Sequence, residues 1–497
     1  MPRPARRWTW PLGASLLTVG FLCLVHASAA GAAQTVFWGS RDDSKISNAP
    51  IGAGKGTDIP IPPALVNRPF GTAVDSAAGR VYWANSGSNT IGYANFNGSG
   101  AGLLPTSGAP MDEPGGLAID PAGGRIYWAN AGNDSISYAA LNGSGGGNLN
   151  TAGATVGEPY GVAIDPMEGR IYWTSFATDT ISYANLNGSG GANLNTSGAP
   201  IEGPVGLAID AATGRVYWAN SRGESIGFAS INGGGGNGQV NPPSAVFAPA
   251  MPAVPVGLAI DPALQTIYWA DEELEQIGAA NLQGSPPALP ATGGASLDGA
   301  NFPVLLESPR NVDKPAVQGQ HRPGATLTCT QGTWRGDVVE SFLYRAPQSF
   351  SYQWFRNGKP VAGATAATIV ASKVGAYTCD VTATNFAGSE AWTSPLEFSV
   401  NATVAFKKVT FNRKKGTATL RVAVTGSGRL DVYGKGVANA QRKHAMGIAK
   451  ITIRTSGKAR IKLRNTGKAK VKATVSYTPE GGKAIKRRKA VVLKKLR

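Results

Sequence analysis

The chain has 497 residues, with 66 Gly, 33 Pro and 11 Trp, and only 15% of its side chains are charged. At about 150 residues per domain that length predicts roughly three domains, and three Cys and three His exclude a disulfide-dense miniprotein and Cys/His zinc clusters. The net charge of +17 averages unlike parts: residues 31–400 carry 17 basic and 28 acidic side chains, residues 401–497 carry 27 basic and two acidic.

Residues 1–33 read as a secretory signal peptide. Arg3, Arg6 and Arg7 form a positive start, an apolar run follows from Pro11 to about Val25, and small residues fill 27–33. The run is short for a membrane span. No other stretch reaches about 18 apolar residues, so the mature chain is expected to lack a transmembrane segment and to be secreted or held at a surface by non-covalent contacts.

A repeat organises the next part. Trp38, Trp83, Trp128, Trp173 and Trp218 stand 45 residues apart, and Trp269 follows after 51. Asp75, Asp120, Asp165, Asp210 and Asp261 keep the same steps. Each unit reads as a short apolar strand (G-x-A-x-D), a Gly-containing turn, a Tyr-Trp strand, a third strand such as 135–140, an Asn-Gly hairpin and a short edge strand. Four strands per unit, repeated, predict a propeller blade, with one Trp filling each gap between blades. There are six aromatic-Trp strands and five G-x-A-x-D strands, so the first blade must take its inner strand from beyond the sixth. Residues 304–313 are expected to supply it, with Asp313 in the Asp register. The pattern resembles the YWTD (low-density-lipoprotein-receptor class B) repeat over residues 34–306, whose members form six-bladed propellers. Most copies depart from it after the Trp, reading AN or TS, and Asp271 alone keeps the acid. WD repeats share the period, but their G-H element is absent.

Residues 307–400 change character. Cys329 and Cys379 are the two cysteines outside the signal segment and are expected to form a structural disulfide in an exported protein. Trp354 lies between them and Tyr377 precedes the second by two residues. This order resembles the immunoglobulin-like modules of secreted bacterial proteins. Residues 401–497 read as alternating strands with a cationic solvent face: Arg460, Lys462 and Arg464, then Lys468, Lys470 and Lys472. The segment resembles Lys-rich terminal domains of exported actinobacterial proteins. Such a face should attract polyanions, whether wall polymers, acidic lipids or extracellular DNA, while the scarcity of aromatic residues disfavours specific nucleic-acid recognition.

The expected fold is all-β: a six-bladed propeller, an immunoglobulin-like sandwich and a small basic β domain. The propeller repeats contain no His and no Cys, which removes nucleophile–His chemistry. The Asp set is expected to cap turns, with Arg80, Arg125, Arg170 and Arg215 pairing to it across the hairpins. Blades 1 and 6 differ from the rest, so Asp42, Asp43, Asp271, Glu272, Glu273 and Glu275 are the candidate binding patch. The expected function is a monomeric, non-catalytic binding or adhesion protein, with no cofactor and no metal. An unknown protein or glycan would be its ligand, and an anionic envelope would hold its basic end. The alternative is an extracellular lactonase- or lyase-like propeller enzyme using carboxylates or a metal in the central channel.

Overall fold

A computed structural model describes residues 33–232, 237–240, 247–248, 252–282, 287–395 and 397–496. The expected signal peptide lies outside these residues apart from its last position. So does Gly233 of the fourth Asn-Gly pair.

The chain is all-β, and its first part is a propeller of six sheets. In blade 2 the strands are Pro69–Asp75, Arg80–Asn85, Thr90–Asn95 and Gly102–Leu103, joined in sequence order and antiparallel. The inner strands are short and apolar because both faces are covered; Pro69–Asp75 is buried at every position. Glycine at its third position is needed for close approach between neighbouring blades. A Cβ on Gly71 would lie 2.5 Å from the carbonyl oxygen of Gly115, and one on Gly206 would lie 2.5 Å from the Cα of Gly257. The inner strands therefore meet backbone to backbone around the axis.

The ring closes on Ala300–Glu307, antiparallel to Gln34–Ser40, with Phe37 opposite Val304 and Gln34 opposite Glu307. The donated strand comes from beyond blade 6 as expected, but its range differs from 304–313. Asp313 belongs instead to the short strand Asn311–Asp313, which pairs with Thr333–Trp334. Leu306 is the residue 45 positions after Asp261, so the period is kept and a leucine replaces the acid. The carboxylate comes one residue later: Glu307 is buried between Arg310 (2.7 Å) and Arg345 (3.3 Å).

The next part is a two-sheet sandwich. Val317–Gly319, Ala325–Cys329 and Thr368–Ala371 form one sheet; Ser349–Arg356, Gly375–Asn385 and Gly388–Thr393 are the main strands of the other. A Cys329–Cys379 disulfide joins the sheets, with Cα atoms 6.2 Å apart. Trp354 is fully buried beside it, and the Tyr377 hydroxyl donates to the Lys373 carbonyl at 2.9 Å.

The basic part has its own core between a three-stranded and a four-stranded sheet. One expectation fails here. Residues 457–466 form an α-helix, Gly457–Thr466, and not a strand. Lys, Ala, Arg and Leu are good helix formers. Gly467 ends the run in the left-handed conformation (φ 65°), and Leu463 anchors it in the core. Among the described residues, no helix is long and apolar enough to cross a membrane.

Candidate functional site

The repeated Trp and Asp residues are structural. All six Trp side chains are 0% exposed, and the indole N–H of Trp83, Trp128, Trp173 and Trp218 donates to a carbonyl in the loop entering its own blade, at 2.8–3.2 Å. Asn at the second position after the Trp does the work of an acid. Asn85, Asn130 and Asn220 each accept an N–H from that same loop at 2.8–3.1 Å. Asp271 does likewise from Ala253 (2.8 Å) and Val254 (3.2 Å). It is fully buried in doing so and is thereby withdrawn from the candidate patch.

The five inner-strand carboxylates cap the following turns. Asp75 accepts from Ala78 N and Asp120 from Gly123 N, both at 2.8 Å; Asp165, Asp210 and Asp261 each accept from two backbone N–H groups. The expected Asp–Arg pairs do not form. Register puts Arg80 opposite Asp75, but its guanidinium lies over the Tyr93 ring at 5.3 Å. Arg125, Arg170 and Arg215 cover Tyr138, Tyr183 and Phe228 in the same way. With its carboxylate already satisfied by the turn, the guanidinium does better over an aromatic face on the neighbouring strand.

The end of the channel that carries these carboxylates is filled by the chain itself. A stretch at 337–346, expected within the sandwich, leaves it and enters the propeller. Leu343–Tyr344 adds a parallel strand to Leu305 and Leu306. Val339, Phe342, Leu343 and Tyr344 join the propeller's apolar core. The Ser341 hydroxyl donates to the Ile209 carbonyl at 2.5 Å. Asp337 accepts from Ser76 Oγ (3.1 Å), Arg345 N (2.7 Å) and Ala346 N (2.8 Å).

Burial pushes the Asp337 and Glu340 carboxyls above their ordinary values, and nearby Asp75, for Asp337, and Asp165 and Asp210, for Glu340, push the same way. A carboxyl raised in the folded state contributes stability that is full below its unfolded pKa and is lost as pH rises through the folded value. The thermal midpoint should therefore gain from these groups as pH falls toward the ordinary carboxyl values of 3.8 and 4.5. Glu340→Gln should raise the midpoint at neutral pH and flatten that gain. An unchanged pH profile in the variant, followed by scanning fluorimetry, would contradict the assignment.

The opposite mouth is irregular. The second residue of the inner strands varies: Phe70, Gly115, Tyr160, Val205 and Val256 in blades 2 to 6. Phe70 packs against Tyr160 (5.5 Å) and Phe302 (5.3 Å), which closes the axis with aromatic rings. A cavity of about 500 Å³ lies beside Gly115, lined among others by Arg41, Arg68, Asp112, Glu113 and Tyr160. At the rim Arg222 stacks on Phe176 at 3.9 Å. The mouth thus combines guanidinium groups, carboxylates and aromatic faces.

The blade 1 and blade 6 loops meet at this mouth, as expected. They meet through a cation: Arg41 bridges Asp42 (3.2 Å) and Glu272. Asp43, Glu273 and Glu275 are exposed. Glu275 holds a left-handed position (φ 47°) shared by Ser44, Asn89, Asp134, Asp179 and Glu224. In four of these loops the side chain caps a backbone N–H of the next blade: Ser44 to Arg68, Asn89 to Glu113, Asp134 to Glu158 and Asp179 to Gly203. Charge at the mouth is therefore mixed, and the acidic patch is partly neutralised. Among the described residues no group of three or more His, Cys, Asp or Glu is placed to hold a metal ion.

In the basic part, Lys468, Lys470 and Lys472 alternate with buried Ala469, Val471 and Ala473, as expected. Arg460, Lys462 and Arg464 are exposed on the helix. The sequence reading missed Lys486, Arg488 and Lys494, which the neighbouring strand places opposite Ser476, Thr474 and Lys468.

No family model and no curated protein matches the chain. Among solved structures it is similar to a chain of a nidogen/laminin complex, at 20% identity over 55% of this chain and 98% of that one, with a TM-score of 0.46. A candidate 6-phosphogluconolactonase from Bacteroides uniformis is similar at 11% identity over 54% and 84%, with a TM-score of 0.35. A hydrazine synthase chain from Kuenenia stuttgartiensis is similar at 15% over 43% and 77%, with a TM-score of 0.32. Likeness at this level leaves ligand and activity open.

Proposed function

We propose that this is an exported, non-catalytic binding protein. Its propeller mouth recognises a polar protein or glycan ligand, and its basic domain holds it at an anionic envelope. The observation that carries the reading is the sealed channel: 337–346 fills the end bearing the carboxylates, and Phe70, Tyr160 and Phe302 close the other. The carboxylates that a channel enzyme would use are engaged in capping turns. What remains accessible is a mouth suited to binding, where aromatic rings offer faces and arginines offer charge. The blades are of the YWTD kind on this reading, with Asn standing for Asp in three of them. The disulfide agrees with an oxidising compartment, and the basic domain of the exported type supplies retention.

The test is co-sedimentation of the full chain with purified cell-wall material. Pelleting at low salt with release at high salt is the expected result, because charge-based binding falls steeply with salt. A chain that stays in solution at both salt concentrations would overturn the anchoring half of the proposal.

A further inference from the structure

The four-stranded sheet of the basic domain carries its cations in an ordered row. Lys468–Pro479 pairs with Ile485–Lys494 so that Lys468 faces Lys494, Lys470 faces Val492, Lys472 faces Ala490, Thr474 faces Arg488 and Ser476 faces Lys486. Residues directly opposite share a face, and steps of two residues keep it. All six cations are exposed, whereas Ala469, Val471, Ala473 and Val475 on the other face are buried in the core. Five successive levels of this face therefore each hold at least one cation. The levels are roughly 6.6–6.8 Å apart, so the row runs for about 27 Å.

Among the described residues no ion pair involves any of these six cations. Lys468 and Lys494 are like charges directly opposite, an arrangement that weakens a sheet. Among the described residues the domain's single ion pair is Arg429–Asp431 at 3.1 Å, so the carboxylate opposite Ser476 on the other neighbouring strand is already taken. We infer that this row binds a linear phosphodiester polymer laid along the strand, of the polyol-phosphate type, whose charges recur at a similar interval. This rests on the proposed envelope attachment and names its chemistry. Lysine suits phosphate as a point charge and needs no bidentate carboxylate geometry. A nucleic acid fits less well: the only Tyr or Trp residues in 401–497 are Tyr433, half-buried, and Tyr477, fully buried. No aromatic platform for bases results.

The experiment titrates the full chain with a synthetic poly(glycerol phosphate) oligomer over a series of salt concentrations. Two triple variants are compared: Lys470→Gln/Lys472→Gln/Arg488→Gln on the row, and Lys407→Gln/Lys408→Gln/Lys450→Gln on the three-stranded sheet. Both remove the same charge. The row variant should lose at least about tenfold in affinity, and its log K against log salt slope should flatten by roughly two, at about 0.7 per phosphate contact. The control should lose less than about threefold. Equal losses in both variants would show that net charge alone is at work and overturn the inference. So would tighter binding of an oligothymidylate of matched charge, or of phosphatidylglycerol vesicles. A chain that pellets with wall but ignores the oligomer refutes this inference and leaves the envelope reading standing; one that binds the oligomer but not wall does the reverse.

Discussion

Ending the chain at Leu306, the propeller boundary that the repeats suggest, should leave a protein without a stable ring. The closing strand would lose Glu307, which faces Gln34, together with the 337–346 stretch that packs beneath it. Val339, Phe342, Leu343 and Tyr344 are each at most 8% exposed. Full burial of such side chains is worth about 1.5–3 kcal/mol apiece. The sum is on the order of 6–12 kcal/mol as an upper estimate, comparable with the whole stability of a typical domain. Circular dichroism melts of residues 33–306 and 33–400 check this. The shorter protein should aggregate or melt about 15 °C or more below the longer one. A cooperative melt within a few degrees of the longer protein would show that the inserted stretch contributes little.

Trp128→Ala should cost about 3–5 kcal/mol, the range for large aromatic truncations in a core. The indole is 0% exposed. Its N–H donates to the Pro110 carbonyl and to Asn130 Oδ1, both at 3.2 Å. Truncation leaves a void between blades and removes a donor from both acceptors, so little of the loss is recovered by collapse. Chemical denaturation of the full chain measures it; a midpoint equal to that of the parent would contradict the packing role given to the repeated Trp.

The blades were legible because each repeats a pattern with one physical meaning. A short apolar strand ending in Asp, a Tyr-Trp strand and an Asn-Gly turn point to the same sheet in every copy. The ring closure was legible in kind but not in register. Asp313 drew the strand too far along the chain, while Leu306 held the Asp position without its side chain. The Arg80 set misled because strand register fixes which residues oppose each other, not where a long side chain goes. The 457–466 helix was hidden by Ile461 and Leu463, which alternate like a strand although only Leu463 is buried. Ile461 is 58% exposed.

At the site, the variation that matters was visible in Pro114-Gly115-Gly116 against Pro69-Phe70-Gly71 and Pro159-Tyr160-Gly161. The cavity lies beside the one glycine at this position, where a Cβ would meet the Tyr160 carbonyl oxygen at 2.7 Å. The reading by charge chose Asp271 instead, which the fold spends on a cap. The insertion of 337–346 left no mark in the sequence. Its Val, Phe, Leu and Tyr read equally well as sandwich core, and only the three-dimensional path of the chain assigns them to the propeller.

Hydrogen exchange at 337–346 tests most directly whether the propeller's carboxylate end is closed. In the full chain its buried amides should exchange on the same slow timescale as those of Ala300–Glu307, the strand it extends. Exchange complete within seconds, as for an exposed loop, would mean that this end of the channel opens freely. The carboxylates would then be reachable, and a channel enzyme would regain the route that a sealed propeller denies it.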